Sequence, residues 1–397
     1  MKSKATAFFA AAVKAALALL YAPMKCLPTA DKVVFLSRQS NQPGLDFRLL
    51  QQSLLRSQPN LKTVTITQRL DKNLGSALRF GWATLCSLYH LATAKVCVLD
   101  SYWPAVSILK HKKELTVIQM WHAIGKLKQS GYQTLDKGYG RSSAMAQVMG
   151  MHRGYDVVIA GGKTMNPFYC ASFGVEEEQL FNIGLPRIDY LLEQEQANRA
   201  LAWEQYPRLR GKTVVLYAPT FRRGSLADYR EITAAFDPDR FALIVKPHPN
   251  QALADPESLE AYACPGLTTM QALDACDIVI TDYSAISLEA AVLGRPIYFY
   301  LFDHQGYLSK NGVNIDPYRE MPANVYEDPA ALWAAIGAGR YDRAALDAFR
   351  SRYLPEKLGG STAALTNLIL DCVKDGKHEG ICKNLHREAE AGVSLVH

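Results

Sequence analysis

Residues 277–293 read Asp-Ile-Val-Ile-Thr-Asp-Tyr-Ser-Ala-Ile-Ser-Leu-Glu-Ala-Ala-Val-Leu. The run Asp277 to Thr281 is short, β-branched and apolar, as a buried strand requires. Thr281-Asp282-Tyr283-Ser284 is a polar turn, and Ile286 to Leu293 continues as a helix. Strand, polar turn and helix in this order are the repeating piece of a parallel α/β sheet.

The same rhythm extends in both directions. Toward the N-terminus, strands are expected at Phe241 to Val245 and Thr213 to Tyr217, and Pro296 to Tyr300 follows on the other side. Earlier still, Val33 to Leu36, Thr63 to Thr67, Val96 to Leu99, Leu115 to Trp121 and Asp156 to Ala160 alternate with helical stretches. The rhythm breaks over residues 190–212, where a Gln- and Glu-rich helix (Leu191 to Trp203) leads to Pro207 and Gly211. Two Rossmann-like halves are therefore expected, over 31–195 and 196–375. A helix precedes them at 1–30, and a polar, frayed tail follows at 376–397. Ligands of such sheets bind beyond the carboxyl ends of the strands, so the expected site is a central cleft faced by both halves.

Composition narrows the class. A chain of 397 residues, 49% hydrophobic and 21% charged, has apolar material for two cores, which excludes a disordered chain or a small disulfide scaffold. A net charge of +6 is too mild for a nucleic-acid coat; it suits anionic substrates or an anionic membrane surface. The eight cysteines are scattered, with no CxxC pair, which speaks against structural zinc and for a reducing cytoplasm.

In the first thirty residues, Phe8, Phe9, Ala12, Val13, Ala16, Leu17, Leu20 and Tyr21 recur at helical spacing among Lys2, Lys4, Lys14 and Lys25. This predicts a basic amphipathic helix ending near Tyr21, before Pro23. Three readings stand: a helix lying in the membrane interface, a helix packed on the protein itself, or a signal peptide, against which Lys14 speaks.

The polar residues worth testing fall just after strands. His122 follows Trp121, with Lys126 and Lys128 close behind. A histidine there suits proton abstraction from a hydroxyl, and the lysines suit a phosphate. Tyr217, Thr220, Arg222, Arg223 and Gly224 cluster after the next strand; arginine forks match phosphate oxygens. Lys246-Pro247-His248-Pro249 clamps a histidine in a rigid turn beside a lysine, fit to hold a pyrophosphate or offset charge on a leaving phosphate. Asp282 and Ser284 open a helix, where a cap and an anion site coincide, and Glu289 is placed to meet a ribose or polyol hydroxyl. Gly161-Gly162-Lys163-Thr164 imitates a P-loop, but Val157 stands where that pattern needs glycine. The histidines show no metal-ligand spacing, so no metal or cofactor is expected.

Taken in order, these motifs resemble the CDP-glycerol glycerophosphotransferase family of teichoic acid primases and polymerases. The resemblance runs from about Lys32 to Pro322. It also includes Gly184-Leu-Pro-Arg187-Ile-Asp189 and Phe299-Tyr-Leu-Phe-Asp303 with Tyr307. It implies a GT-B fold, a peripheral place on the cytoplasmic face of the membrane, and no required metal. It also implies transfer of a polyol phosphate from a CDP-polyol to a hydroxyl of a lipid-linked glycan or polyol-phosphate acceptor, with release of CMP. His122 maps onto the family's base, and His248 and Ser284 onto its pyrophosphate ligands; Asp303 joins the substrate-binding set. Where the family has Trp-His-Gly-Thr, this chain has Trp121-His122-Ala-Ile-Gly125, a variation similar to ribitol-phosphate transferases. Glycerol phosphate is the first reading, and ribitol phosphate the alternative. A sugar-nucleotide glycosyltransferase and a non-catalytic membrane-bound binding protein are the competing classes. No nucleic acid partner is expected.

Overall fold

A computed structural model describes residues 2–393 apart from 72, 139 and 223–225, and side chains outside 2–7, 9, 386 and 388–393. The chain divides into two units, one of 1–124, 130–187 and 355–397, the other of 125–129 and 188–354.

The first unit is built on a six-stranded parallel sheet in the order β2-β1-β3-β4-β5-β6. The strands are β1 (Ala30–Ser37), β2 (Lys62–Thr67), β3 (Ala94–Leu99), β4 (Thr116–Gln119), β5 (Val157–Ile159) and β6 (Leu180–Phe181). β1 pairs in parallel with β2 on one side and β3 on the other. The chain thus reverses its direction of travel across the sheet between β1 and β3. Val33 to Leu36 are fully buried because helices cover both faces, which is why the strand reads as a continuous apolar run. Helix α2 (Leu45–Ser57) seats Phe47, Leu50 and Leu54 there, with Phe47 edge-on to Phe35 at 5.1 Å between centroids. Each such side chain contributes roughly 1.5–3 kcal/mol by burial.

Helix α1 (Lys2–Met24) continues past the expected stop at Tyr21. Pro23 falls in its last turn, where the missing N–H removes only one bond and Lys25 N still reaches Tyr21 O at 3.2 Å. α1 packs on α3 (Leu74–Thr93), with Leu17 and Tyr21 buried, while Phe8, Leu19 and Leu20 face outward.

The expected frayed tail is instead helical. Residues Lys377–Val393 form a helix that packs back on the helix Ser361–Asp375. The approach is close at Gly380, where a Cβ would meet Cys372 N at 2.5 Å. Lys383 pairs with Asp375 at 2.8 Å and Arg387 with Asp371 at 2.6 Å, so the polar residues that suggested fraying are spent on this contact. The helix Ser361–Asp375 in turn packs on α2 and β3. The first unit therefore takes its last helices from the far end of the chain, which differs from the division expected at 195/196 and 375/376.

The second unit has a five-stranded parallel sheet in the order β13-β12-β11-β7-β9. Its strands are β7 (Thr213–Tyr217), β9 (Phe241–Val245), β11 (Ile278–Thr281), β12 (Ile297–Tyr300) and β13 (Val325–Tyr326). A separate pair joins β8 (Leu226–Ala227) and β10 (Ala252–Leu253). Here the reversal falls between β7 and β11. Val215, Tyr217, Leu243, Ile280, Tyr298 and Trp333 form the core.

Candidate active site

In both sheets the reversal point leaves a crevice at the carboxyl ends of two neighbouring strands, the usual ligand position in open α/β folds. In the first unit the residues there are Ser37-Arg38-Gln39 after β1 and Asp100-Ser101-Tyr102 after β3. His122 follows β4. Trp121 leaves that strand with φ 59°, a left-handed conformation costly for a bulky residue. Buried Gln119 holds the bend by accepting from Trp121 N at 2.9 Å. Beyond it, His122 Nδ1 lies 3.0 Å from the Asp100 carbonyl and 3.0 Å from the Gln39 amide. A carbonyl only accepts, so with the proton on Nδ1 the ring donates to Asp100 and Nε2 is the basic nitrogen; with the proton on Nε2, Nδ1 accepts from the Gln39 amide N–H instead. The Trp121 ring lies against the imidazole at 4.0 Å between centroids. The Asp100 carboxyl is pushed up to about 6 by burial, against the pull of hydrogen bonds from Ser37 and Ser101.

Residues 125–129 belong to the second unit. Asn314 Nδ2 donates to the carbonyls of Lys126 (2.9 Å) and Lys128 (3.2 Å), and Asn314 N donates to Leu127 O at 2.8 Å. Burial lowers the ammonium of Lys126 far below its usual range. Lys128 is also lowered by burial, with Asp282 opposing the shift and Arg222 adding to it.

The reversal point of the second unit joins the turns after β7 and β11: Asp282 Oδ1 accepts from Thr220 N at 2.8 Å. Arg222 is not the open phosphate fork that the sequence suggests. Its Nε and Nη2 clasp Asp303 at 2.7 and 2.9 Å, its Nη1 faces Asp282 Oδ2 at 2.9 Å, and its guanidinium sits 4.5 Å from the Tyr307 ring centroid. The two carboxylates outweigh burial and raise its pKa. Tyr307 stacks on Tyr283 at 4.1 Å and 6°. Arg222, Asp282 and Asp303 thus form an internal clasp that ties together the loops after β7, β11 and β12. Two further expectations are corrected. Tyr217 is a core residue beside Tyr229 and Tyr300. Lys246 Nζ is committed to the carbonyls of Cys264 and Leu267, both at 2.7 Å.

His248 and Ser284 both reach solvent. His248 is exposed, stacked on Phe221 at 5.5 Å, and its Nδ1 accepts from Asn250 N at 3.1 Å, which puts the proton on Nε2 as a donor. Ser284 reaches solvent from a segment whose preceding three residues are buried. Glu289 is buried in the helix Ile286–Val292. Arg223 and Gly224 lie outside the described residues. Among the described residues, no group of three or more His, Cys, Asp or Glu could hold a metal. Gln39, Asp100, Gln119 and Asn314 escape the motif reading, although the first two also follow strands directly.

Two Rossmann-like units, with polar residues gathered at each reversal point, define a GT-B-like transferase. The chain belongs to the CDP-glycerol:poly(glycerophosphate) glycerophosphotransferase family, whose profile matches residues 19–371. It is 28% identical over 360 residues to a teichoic acid ribitol-phosphate primase of Bacillus spizizenii, covering 87% of this chain and 92% of that one. It is also 28% identical over 297 residues to a teichoic acid glycerol-phosphate primase of Bacillus subtilis, covering 71% and 75%. The wall teichoic acid polymerase TagF, in a crystal soaked with CDPG, shares the fold: TM-score 0.71 at 20% identity, covering 87% of this chain and 90% of that chain.

Proposed function

We propose that the protein transfers a polyol phosphate from a CDP-polyol to a hydroxyl of a lipid-linked acceptor in teichoic acid or related cell-surface polymer synthesis, releasing CMP. His122 Nε2 takes the proton of the acceptor hydroxyl, and the hydroxyl oxygen attacks the β-phosphorus. The bond from that phosphorus to the bridging oxygen breaks, and CMP leaves with the electron pair. His248 and Ser284 donate to the pyrophosphate and offset the charge that gathers on it. Glu289 meets a hydroxyl of the donor. The observation carrying this reading is the placement of His122, whose Nδ1 lies 3.0 Å from the Asp100 carbonyl; with the proton held there, Nε2 is the base.

Glycerol phosphate is the donor group of the first reading. Ribitol phosphate is favoured by one observation, the Trp121-His122-Ala-Ile-Gly125 variation. CMP release measured separately with CDP-glycerol and CDP-ribitol, on a lipid-linked acceptor in detergent, decides between them. Release with neither donor would sink the reading.

Peripheral membrane attachment is part of the proposal. α3 is apolar on two faces. One packs inward through Phe80, Leu88 and Leu91; the other presents Leu74, Leu78, Trp82, Leu85 and Tyr89 at helical spacing to the exterior. With Phe8, Leu19 and Leu20 of α1, this surface suits the acyl boundary of a bilayer, and exposed Arg79 suits its anionic headgroups. No described helix is long and apolar enough to cross a membrane.

A further inference from the structure

The reversal point of the first unit holds two cations that the reaction above does not use. Arg38 ends the turn after β1, and its N donates to Ser101 Oγ at 3.1 Å. Tyr102, on the neighbouring turn after β3, is buried and donates its hydroxyl to Met149 O at 2.9 Å. The Arg38 guanidinium lies 5.5 Å from the Tyr102 ring centroid, and that of Arg141, from the loop after residue 137, lies 5.3 Å from the same centroid. Two positive charges therefore converge on one aromatic ring. Among the described residues neither guanidinium makes a hydrogen bond or an ion pair with a carboxylate. The nearby Asp46 carboxylate is engaged by Arg187 through Nε at 2.9 Å and through its main-chain N at 2.9 Å. Asp100, on the adjacent strand end, is held by Ser101 at 2.8 Å.

Arg38 is half-buried and feels the repulsion of Arg141 on top of its own desolvation. Arg141 is exposed and Arg38 only half-buried, so an arriving anion reaches both guanidiniums without displacing a bound carboxylate. The position agrees with this. Gln39, next to Arg38 in the chain, and Asp100, next to the Ser101 that accepts from Arg38 N, both contact His122.

We propose that Arg38 and Arg141 form an anion subsite for a phosphate of the acceptor, which aligns the acceptor hydroxyl with His122. The inference rests on the phosphotransferase reading and specifies its acceptor side. Two forked guanidiniums beside one ring suit a phosphodiester or a pyrophosphate, both of which offer paired charged oxygens. Tyr102 sets the spacing of the forks and contributes no charge of its own.

The test uses the full chain with Arg38→Gln, Arg141→Gln and the double variant. CMP release is followed on three acceptors: a lipid pyrophosphate disaccharide, the same molecule extended by a polyol phosphodiester, and a phosphate-free alkyl glycoside. Each single variant raises KM for a phosphate-bearing acceptor about tenfold or more, with the KM for donor held within twofold. A penalty confined to the extended acceptor assigns the phosphodiester; an equal penalty on both lipid acceptors assigns the pyrophosphate. An unchanged acceptor KM, a rise in donor KM instead, or an equal penalty on the alkyl glycoside overturns the proposal. Phosphorus NMR line broadening of sn-glycerol 3-phosphate and inorganic pyrophosphate reads the same site without turnover. Broadening lost in the double variant is expected, and it would stand even if no donor released CMP; broadening indifferent to both arginines overturns the subsite. Should the glutamine variants fail to melt cooperatively, Arg38→Lys and Arg141→Lys keep the charge and lose the fork, and a smaller rise in acceptor KM is expected; no rise overturns it.

Discussion

His122 Nδ1 sits 3.0 Å from the main-chain oxygen of Asp100 and 3.0 Å from Gln39 Nε2, so a backbone carbonyl and a side-chain amide meet the ring at one nitrogen. With the proton on Nδ1, the carbonyl orients the ring without adding charge to it. His122→Ala is expected to cut the rate of CMP release about a thousandfold while the donor Kd moves by less than threefold. A comparable loss in donor binding would place His122 in the donor site instead.

The Asp100 carboxyl titrates near 6 in the folded protein, against about 3.8 when unfolded. Its folded pKa is raised, so the folded form holds its proton longer. The stability it confers is full below pH 4 and is lost as pH rises through 6. Asp100→Asn should therefore flatten the pH dependence of unfolding between pH 4 and 6. It should also gain roughly 2–3 kcal/mol at pH 7.5. Chemical denaturation at both ends of the window checks the sign.

Arg222 clasps Asp303 with two nitrogens while its third faces Asp282, which is 1% exposed. Lysine cannot span both carboxylates. Arg222→Lys is expected to lower unfolding free energy by about 3 kcal/mol, because Asp282 is left buried without its counter-ion. If stability holds and only donor affinity falls, the clasp is open to ligand and the internal role is wrong.

His248 receives Asn250 N on Nδ1 and so donates from Nε2. His248→Ala should raise the KM for CDP-polyol about tenfold and slow turnover as well, with acceptor KM unchanged. Initial rates over a grid of both substrates separate the two. A change confined to the acceptor would contradict this placement.

Trp82 is 69% exposed on the outer face of α3. Trp82→Glu should leave folding stability within about 0.5 kcal/mol. Binding to vesicles containing anionic lipid should fall at least tenfold, since an interfacial anchor is lost and a repelled charge gained. Sedimentation with vesicles at two salt concentrations reads both effects, and full retention of binding would rule the α3 face out.

Strands buried on both faces announce themselves, which is why Phe241 to Val245 and Ile278 to Thr281 are plain in the sequence. The rule that polar residues after strands form the site picks out His122, Asp282 and His248, each of which lies within three residues of a strand end. It does not say which of those side chains turn outward. Tyr217 ends β7 and points into the core, and Lys246 one residue past β9 bonds two carbonyls. The partners that capture Arg222 lie 60 and 81 residues further on, and no local pattern reports contacts at that range. Likewise the outer stripe of α3 looks like ordinary helix core until its neighbours are known. The helix Lys377–Val393 reads as a tail because its anchors, Asp371 and Asp375, sit in another helix.

The chain passes between the two units at 124/125, 129/130, 187/188 and 354/355. This ordering has a consequence for synthesis. Every strand of the first sheet leaves the ribosome before residue 188, yet the helix Ser361–Asp375 that covers α2 and β3 emerges only after the whole of 188–354. The first unit to be started is the last to be completed, and the second is made as an insertion within it. A nascent chain halted before residue 361 would carry a parallel sheet that lacks one of its covering helices, and no single cut in the gene releases either unit whole.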